Sequence, residues 1–231
     1  MTLDLPNLDE PGLYLSNVQS LEGGRGGVQA FRYADADVRA LDLTDSQLVT
    51  GRITALRAAS VHFEGLRLHS IEIDGCQLAS ACWRDCKISR VRFRDCKMMG
   101  AALTASSMDN VLFENCKLDY ATFENVRATG PVVFSECVLT ETSFIDCDLS
   151  GVVLDSCAMR LTGFTRGQYR GLDLRGNDLS TVRGVPALAK VIIDRAQRTE
   201  LTEALLGELD VTYGEDLEGN RRPWKREPTW D

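Results

Sequence analysis

Large apolar residues recur at every fifth position through the middle of the chain. The series runs from Tyr33 through Val38, Leu43, Leu48, Ile53, Ala58 and Phe63 to Phe123 and Ala128. After Thr129-Gly130-Pro131 it slips by one residue and resumes through Phe134, Leu139 and Phe144 to Tyr169, Leu174 and Leu179. Twenty such centres precede the slip and ten follow it. Two positions before each centre the residue is usually small or apolar, as at Val61, Ala81, Val91, Ala101, Val111, Ala121, Val132, Thr142 and Val152. The other three positions are mostly polar. A period of five matches neither a helical face at 3.6 nor an ordinary strand at 2. A fixed period held over this length predicts a repeat architecture.

The cysteines keep the same ruler. Cys76, Cys86, Cys96, Cys116, Cys137, Cys147 and Cys157 are separated by 10, 10, 20, 21, 10 and 10 residues, and each stands two positions before a large apolar centre. Only Cys82, of eight, is out of phase.

The flanks read differently. Residues 1–27 precede the clear repeat, as an N-terminal cap or extra strand; Leu13-Tyr14-Leu15 is the candidate strand, and Gly23-Gly24 and Gly26-Gly27 a flexible join or tight turn. A stacked repeat must cover its last apolar layer, so residues 182–213 are expected to form a cap. Asp194 followed by Gln197 resembles a capping box. Leu201, Ala204, Leu205 and Leu209 then mark one face of a helix. Val211-Thr212-Tyr213 could add a last short strand. Residues 214–231 are polar, hold Trp224 and Trp230, and read as a disordered tail.

Over about residues 28–181 the pattern resembles the pentapeptide-repeat family, whose motif centres on Leu or Phe with Ala, Cys, Val, Ser or Thr two positions earlier. The resemblance implies an all-β solenoid, a right-handed quadrilateral parallel β-helix with four pentads, or about 20 residues, per coil. An alternation of Phe-type centres (Phe63, Trp83, Phe93) with Leu or Met centres (Leu68, Leu78, Met98) fits alternating faces. Residues 20 apart would then stack at about 4.8 Å, giving a rod roughly 35 Å long. Cys76, Cys96, Cys116, Cys137 and Cys157 would form one inward column. Phe93, Phe113 and Phe134 would form another. The stretch 191–213 resembles the C-terminal helix of the fluoroquinolone-resistance branch. There the helix caps the rod and joins two subunits, which implies a homodimer through Leu201, Ala204, Leu205 and Leu209.

Composition narrows the function. Of 231 residues, 44% are hydrophobic, and 34 acids against 26 Lys and Arg give a formal net charge of −8. Such a chain is a poor general nucleic-acid binder, because phosphate contacts need Lys and Arg. No run approaches the roughly 20 apolar residues of a membrane span. The acidic start, MTLDLPNLDEPG, lacks the basic and apolar regions of a signal peptide, so a cytoplasmic protein is expected. In-phase cysteines facing inward are packing residues with raised, inert thiols. Cys82 and Cys86 point opposite ways, against a metal pair. His62 and His69 fall at outward positions. No catalysis, cofactor or metal is expected.

Surface charge remains. Residues 81–100 hold six cations, Arg84, Lys87, Arg90, Arg92, Arg94 and Lys97, against two acids; residues 101–160 hold nine acids against three cations. Asp74, Asp95, Glu114, Glu136 and Asp155 supply one carboxylate per coil on one face. The resemblance implies a DNA-mimicking protein that binds DNA gyrase, inhibiting it or protecting it from poisons. The basic belt departs from that mimicry, and the projecting loops of the plasmid-borne members are missing. A protein–protein interaction scaffold is the alternative.

Overall fold

The structure is a computed structural model that describes residues 2–22, 27–209 and 211–216. Its architecture follows from one backbone event repeated every five residues. Gly65, Ser70, Gly75, Ser80, Asp85, Arg90, Asp95 and Gly100 all have φ between +50° and +65°. A left-handed residue turns an extended chain sharply, and Gly, Asn and Asp adopt it at least cost. Asn110, Asn115, Asn125 and Asp146 serve as corners for that reason. Four corners per 20 residues make a four-sided parallel β-helix. Gln47–Thr54 pairs with Arg67–Asp74, which pairs with Lys87–Arg94, which pairs with Ser107–Glu114.

Centres and small positions point inward and stack on their equivalents in the coils above and below. Phe93, Phe113 and Phe134 lie nearly parallel with ring centroids 4.7 and 4.6 Å apart. Phe123, Phe144 and Phe164 repeat this on another side at 4.9 and 5.4 Å. Trp83 meets Phe63 edge to face at 4.5 Å. Such aromatic contacts add to the burial of apolar area.

Where the small inward position is Cys, Thr or Asn instead of Ala or Val, its side chain donates to carbonyls of the adjoining strands. Cys96 Sγ donates to the Ile73 and Arg94 carbonyls at 3.4 and 3.2 Å. Thr142 and Thr162 hydroxyls donate to Leu118 and Leu139 at 2.7 and 2.8 Å. A buried carbonyl without a donor would cost about 1–3 kcal/mol.

The slip is a one-residue bulge. Met108 pairs with Ala128, a step of 20, but Val111 pairs with Val132, a step of 21. Thr129 N–H donates to Met108 at 2.8 Å and Val111 N–H to Pro131 at 3.0 Å, so Gly130 loops out between them. Its hydrogen faces the Asp109 carboxylate, where a Cβ would stand 1.8 Å from Oδ1.

Both ends are closed. At the first coil Ser16–Asn17 pairs with Phe31 and Arg32, and Leu21 is buried. The strand is shorter and later than Leu13-Tyr14-Leu15: Tyr14 is 85% exposed. At the last coil a tight turn, Arg195–Gln197, leads into the helix Arg198–Glu208. Gln197 Oε1 accepts the Asp194 N–H at 2.7 Å, the reciprocal bond of a capping box. Glu200 and Glu208 accept the N–H groups of Leu179 and Val185 at 3.0 and 3.2 Å. Val211-Thr212-Tyr213 forms no strand. Residues 23–26 of the glycine-rich join, and tail residues 217–231 with Trp224 and Trp230, lie outside the described residues.

Residues 2–12 do not enter the coil. They run back along the outside of the rod. Asp4 N–H donates to Asn110 Oδ1 at 2.8 Å, Asp4 meets Arg90 at 3.2 Å, and Asp9 meets Arg52 at 3.2 Å.

Candidate functional site

The interior offers little room for chemistry. The void inside the first coils is about 20 Å³, lined by Leu21, Leu41, Leu56, Phe63 and Trp83 among others. That is near the size of one water, and its lining is wholly apolar. All eight cysteines are free. Burial pushes the Cys86 and Cys147 thiols up to about 11. Neighbouring thiols, then burial, raise Cys96 and Cys137 in the other column, while the same thiol neighbours lower Cys76, Cys116 and Cys157, so the raised thiol expected of all seven inward cysteines holds for four. Cys82 points outward and is half-buried; His62 and His69 are exposed. No group of three or more His, Cys, Asp or Glu among the described residues is arranged to hold a metal ion.

The candidate site is therefore the exterior, whose geometry is set by the ladder. Asp74, Arg94, Glu114, Ser135 and Asp155 form one outward column. Asp95 and Glu136 are corner residues of the neighbouring column. The five carboxylates expected in one line are thus split between two columns, and Arg94 interrupts the first. Asp74 is held by Arg94, and Glu114 by Arg92 at 2.5 Å. Asp95 accepts from Asn115 at 2.6 Å. Glu136 and Asp155 are exposed and form no ion pair among the described residues.

Negative charge is organised around the rod instead of along it. Asp109, Glu114, Asp119 and Glu124 stand five residues apart, one on each side of a single coil. The next coil carries Glu136, Glu141 and Asp146 at three successive corners, each with φ near +50°. The basic belt is likewise a ring. Half of it is neutralised: Arg90 by Asp4, Arg92 by Glu114, Arg94 by Asp74. Arg84, Lys87 and Lys97 are exposed. A further ring, Arg160, Arg166, Arg170, Arg175 and Arg183, follows the acidic coils. Arg166 reaches Asp146 at 2.8 Å and holds that carboxyl below its usual range.

The helix face is spent on the rod. Ala204 is buried, and Leu201 and Leu205 pack half-buried on the core. Leu209 is 59% exposed, and Ile192, Val211 and Tyr213 are the other exposed large apolar residues toward this end among the described residues. Periodicity identified the helix but could not show which partner its face meets.

Two sequence profiles match the chain: one described as pentapeptide repeat region over residues 66–132, and one described as pentapeptide repeats over 132–162. Residues 66–162 thus carry pentapeptide repeats. The two profiles meet at residue 132, directly after the bulge. Among solved structures, the chain is similar to two trypsin-treated forms of QnrB1, a plasmid-mediated fluoroquinolone resistance protein. One is 16% identical at a TM-score of 0.45 over 75% of this chain and 97% of that one. The other is 16% identical at 0.43, over 73% and 96%. Full-length QnrB1 is 17% identical at 0.37, over 75% and 99%. Comparison with curated proteins returns no match. No helix among the described residues is long and apolar enough to cross a membrane.

Proposed function

We propose that the protein is a non-enzymatic, cytoplasmic binding protein that presents its acidic coils, in place of DNA, to a DNA-handling enzyme, DNA gyrase foremost. The observation that carries this reading is charge density. Residues 101–160 hold nine acids against three cations. Over three coils of about 4.8 Å that is one net negative charge per about 2.4 Å of axis, against one per about 1.7 Å for duplex DNA. Asp119, Glu124, Glu136, Asp148 and Asp155 have no cationic partner among the described residues, so they are available to a basic groove. Competition of this kind weakens as salt screens the charges.

The test is a gyrase supercoiling assay titrated with the protein at two salt concentrations, with and without a gyrase poison. Inhibition or protection that fades with salt supports the reading; neither effect at any concentration sinks it. A homodimer through the capped end belongs to the same proposal. Its contacts would come from Ile192, Leu209, Val211 and Tyr213, because Leu201, Ala204 and Leu205 already face the rod. The second reading, a scaffold for another protein, draws on the exposed cations Arg84, Lys87 and Lys97.

A further inference from the structure

The arm formed by residues 2–12 crosses several coils on the outside of the rod. Its polar contacts are few and specific. Asp4 N–H donates to Asn110 Oδ1 at 2.8 Å, and the Asp4 carboxylate meets Arg90 at 3.2 Å. Arg90 also donates to the Leu5 carbonyl at 3.4 Å, and Asp9 meets Arg52 at 3.2 Å. Leu8 is buried, and Leu3, Leu5 and Pro6 are half-buried. The arm thus lies as an extended acidic peptide on two arginines and an asparagine.

Four features mark this seat as exchangeable. The Arg90 Nε is buried with no hydrogen-bond partner among the described residues. A buried donor left unmade is costly, so the arm leaves unused binding capacity at its own anchor. Asp9 is 81% exposed where it meets Arg52, so that contact is weakly held. The arm also ends its run at Gly12, whose φ of +96° is open to Gly alone among ordinary residues. No ladder bond joins residues 2–12 to the coil, so lifting the arm leaves every strand pair intact.

We propose that the groove at Asn110, Arg90 and Arg52 is a docking site for an extended acidic segment of a partner protein, and that the arm is its internal placeholder. A carboxylate brought to Arg90 in side-on geometry would engage Nε together with Nη, a pairing the arm does not make. The tether gives the arm an effective concentration in the millimolar range, so a partner segment must outcompete it. This proposal is independent of gyrase binding.

The test uses the full chain and a fluorescent peptide with the sequence of residues 2–12. Full-length protein carrying Asp4→Asn and Asp9→Asn should bind the peptide at least tenfold more tightly than the unaltered protein. Adding Arg90→Ala should abolish the gain. A peptide with both aspartates changed to asparagine should bind at least tenfold more weakly. A second measurement needs no variant: saturating peptide should speed amide hydrogen exchange in residues 2–12 of the unaltered protein and leave the coils unchanged. Equal binding of acidic and neutral peptides, no binding to either chain, or preference for inorganic polyphosphate over the peptide overturns the proposal.

Discussion

The side-chain amide of Gln197 donates a 2.7 Å hydrogen bond to the backbone oxygen of Asn177, one coil beneath it. Asn177 in turn accepts the Cys157 N–H at 2.7 Å and donates to Leu154 at 2.8 Å. The cysteine column therefore ends in two amides that join the rod to its cap. Gln197→Ala leaves the Leu174 and Asn177 carbonyls without this donor and Asp194 without its acceptor. Denaturant unfolding should show a loss of about 1–3 kcal/mol. Hydrogen exchange should rise first in residues 174–197.

Thiol chemistry should single out Cys82. A thiol reagent at neutral pH should modify Cys82 alone in the folded protein and all eight cysteines after denaturation. The pH dependence has a definite sign. Burial raises Cys86 and Cys147 from 9.0 to about 11. The folded state then holds these protons more tightly than the unfolded chain. Stability from these groups is intact below pH 9 and declines as pH climbs toward 11. Thermal melts across that window should fall more steeply than those of a variant with Cys86→Ala and Cys147→Ala.

Deleting Gly130 should not simply restore the 20-residue step. Pro131 would move into the corner, where the equivalent Asn110 has φ +53°. Proline is confined near −65° and cannot turn there. The deletion alone should lower the melting temperature by several degrees or more. Combining it with Pro131→Gly should recover most of the loss.

The carboxylates should divide by their partners. Changing Glu124, Glu136, Asp148 and Asp155 together to their amides should weaken gyrase inhibition at least tenfold without altering the melting temperature. The same change at Asp74 and Glu114, already bound to Arg94 and Arg92, should cost stability more than inhibition.

At the capped end, Leu209→Arg should convert a dimer to monomers with an unchanged melt, read by light scattering. Leu205→Arg disturbs residues packed on the core and should loosen the cap whatever the oligomeric state.

The coil was legible in the sequence because each buried position repeats one environment thirty times. Tyr33 to Leu179 keep phase, and the slip at Gly130 is visible as a broken count. The acidic face was not, since one acid per coil tolerates an offset of one residue while the fold does not. Asp74 and Asp95 are 21 apart and Glu114 only 19 beyond, enough to change column. The arm was illegible for a different reason. Its bond from Asp4 to Asn110 spans 106 residues, occurs once, and leaves no period to detect.

Twenty residues per coil also make sequence position a compass bearing. Removing one whole coil, residues 81–100 for instance, would shorten the rod by one strand spacing and leave every side facing where it did. Removing a single pentad would keep every centre in the core yet turn all that follows through a quarter circle. Ser135 and Asp155 would then look out from a different side than the Asp74 and Arg94 stacked before them, so a length change too small to notice in mass would re-aim the protein.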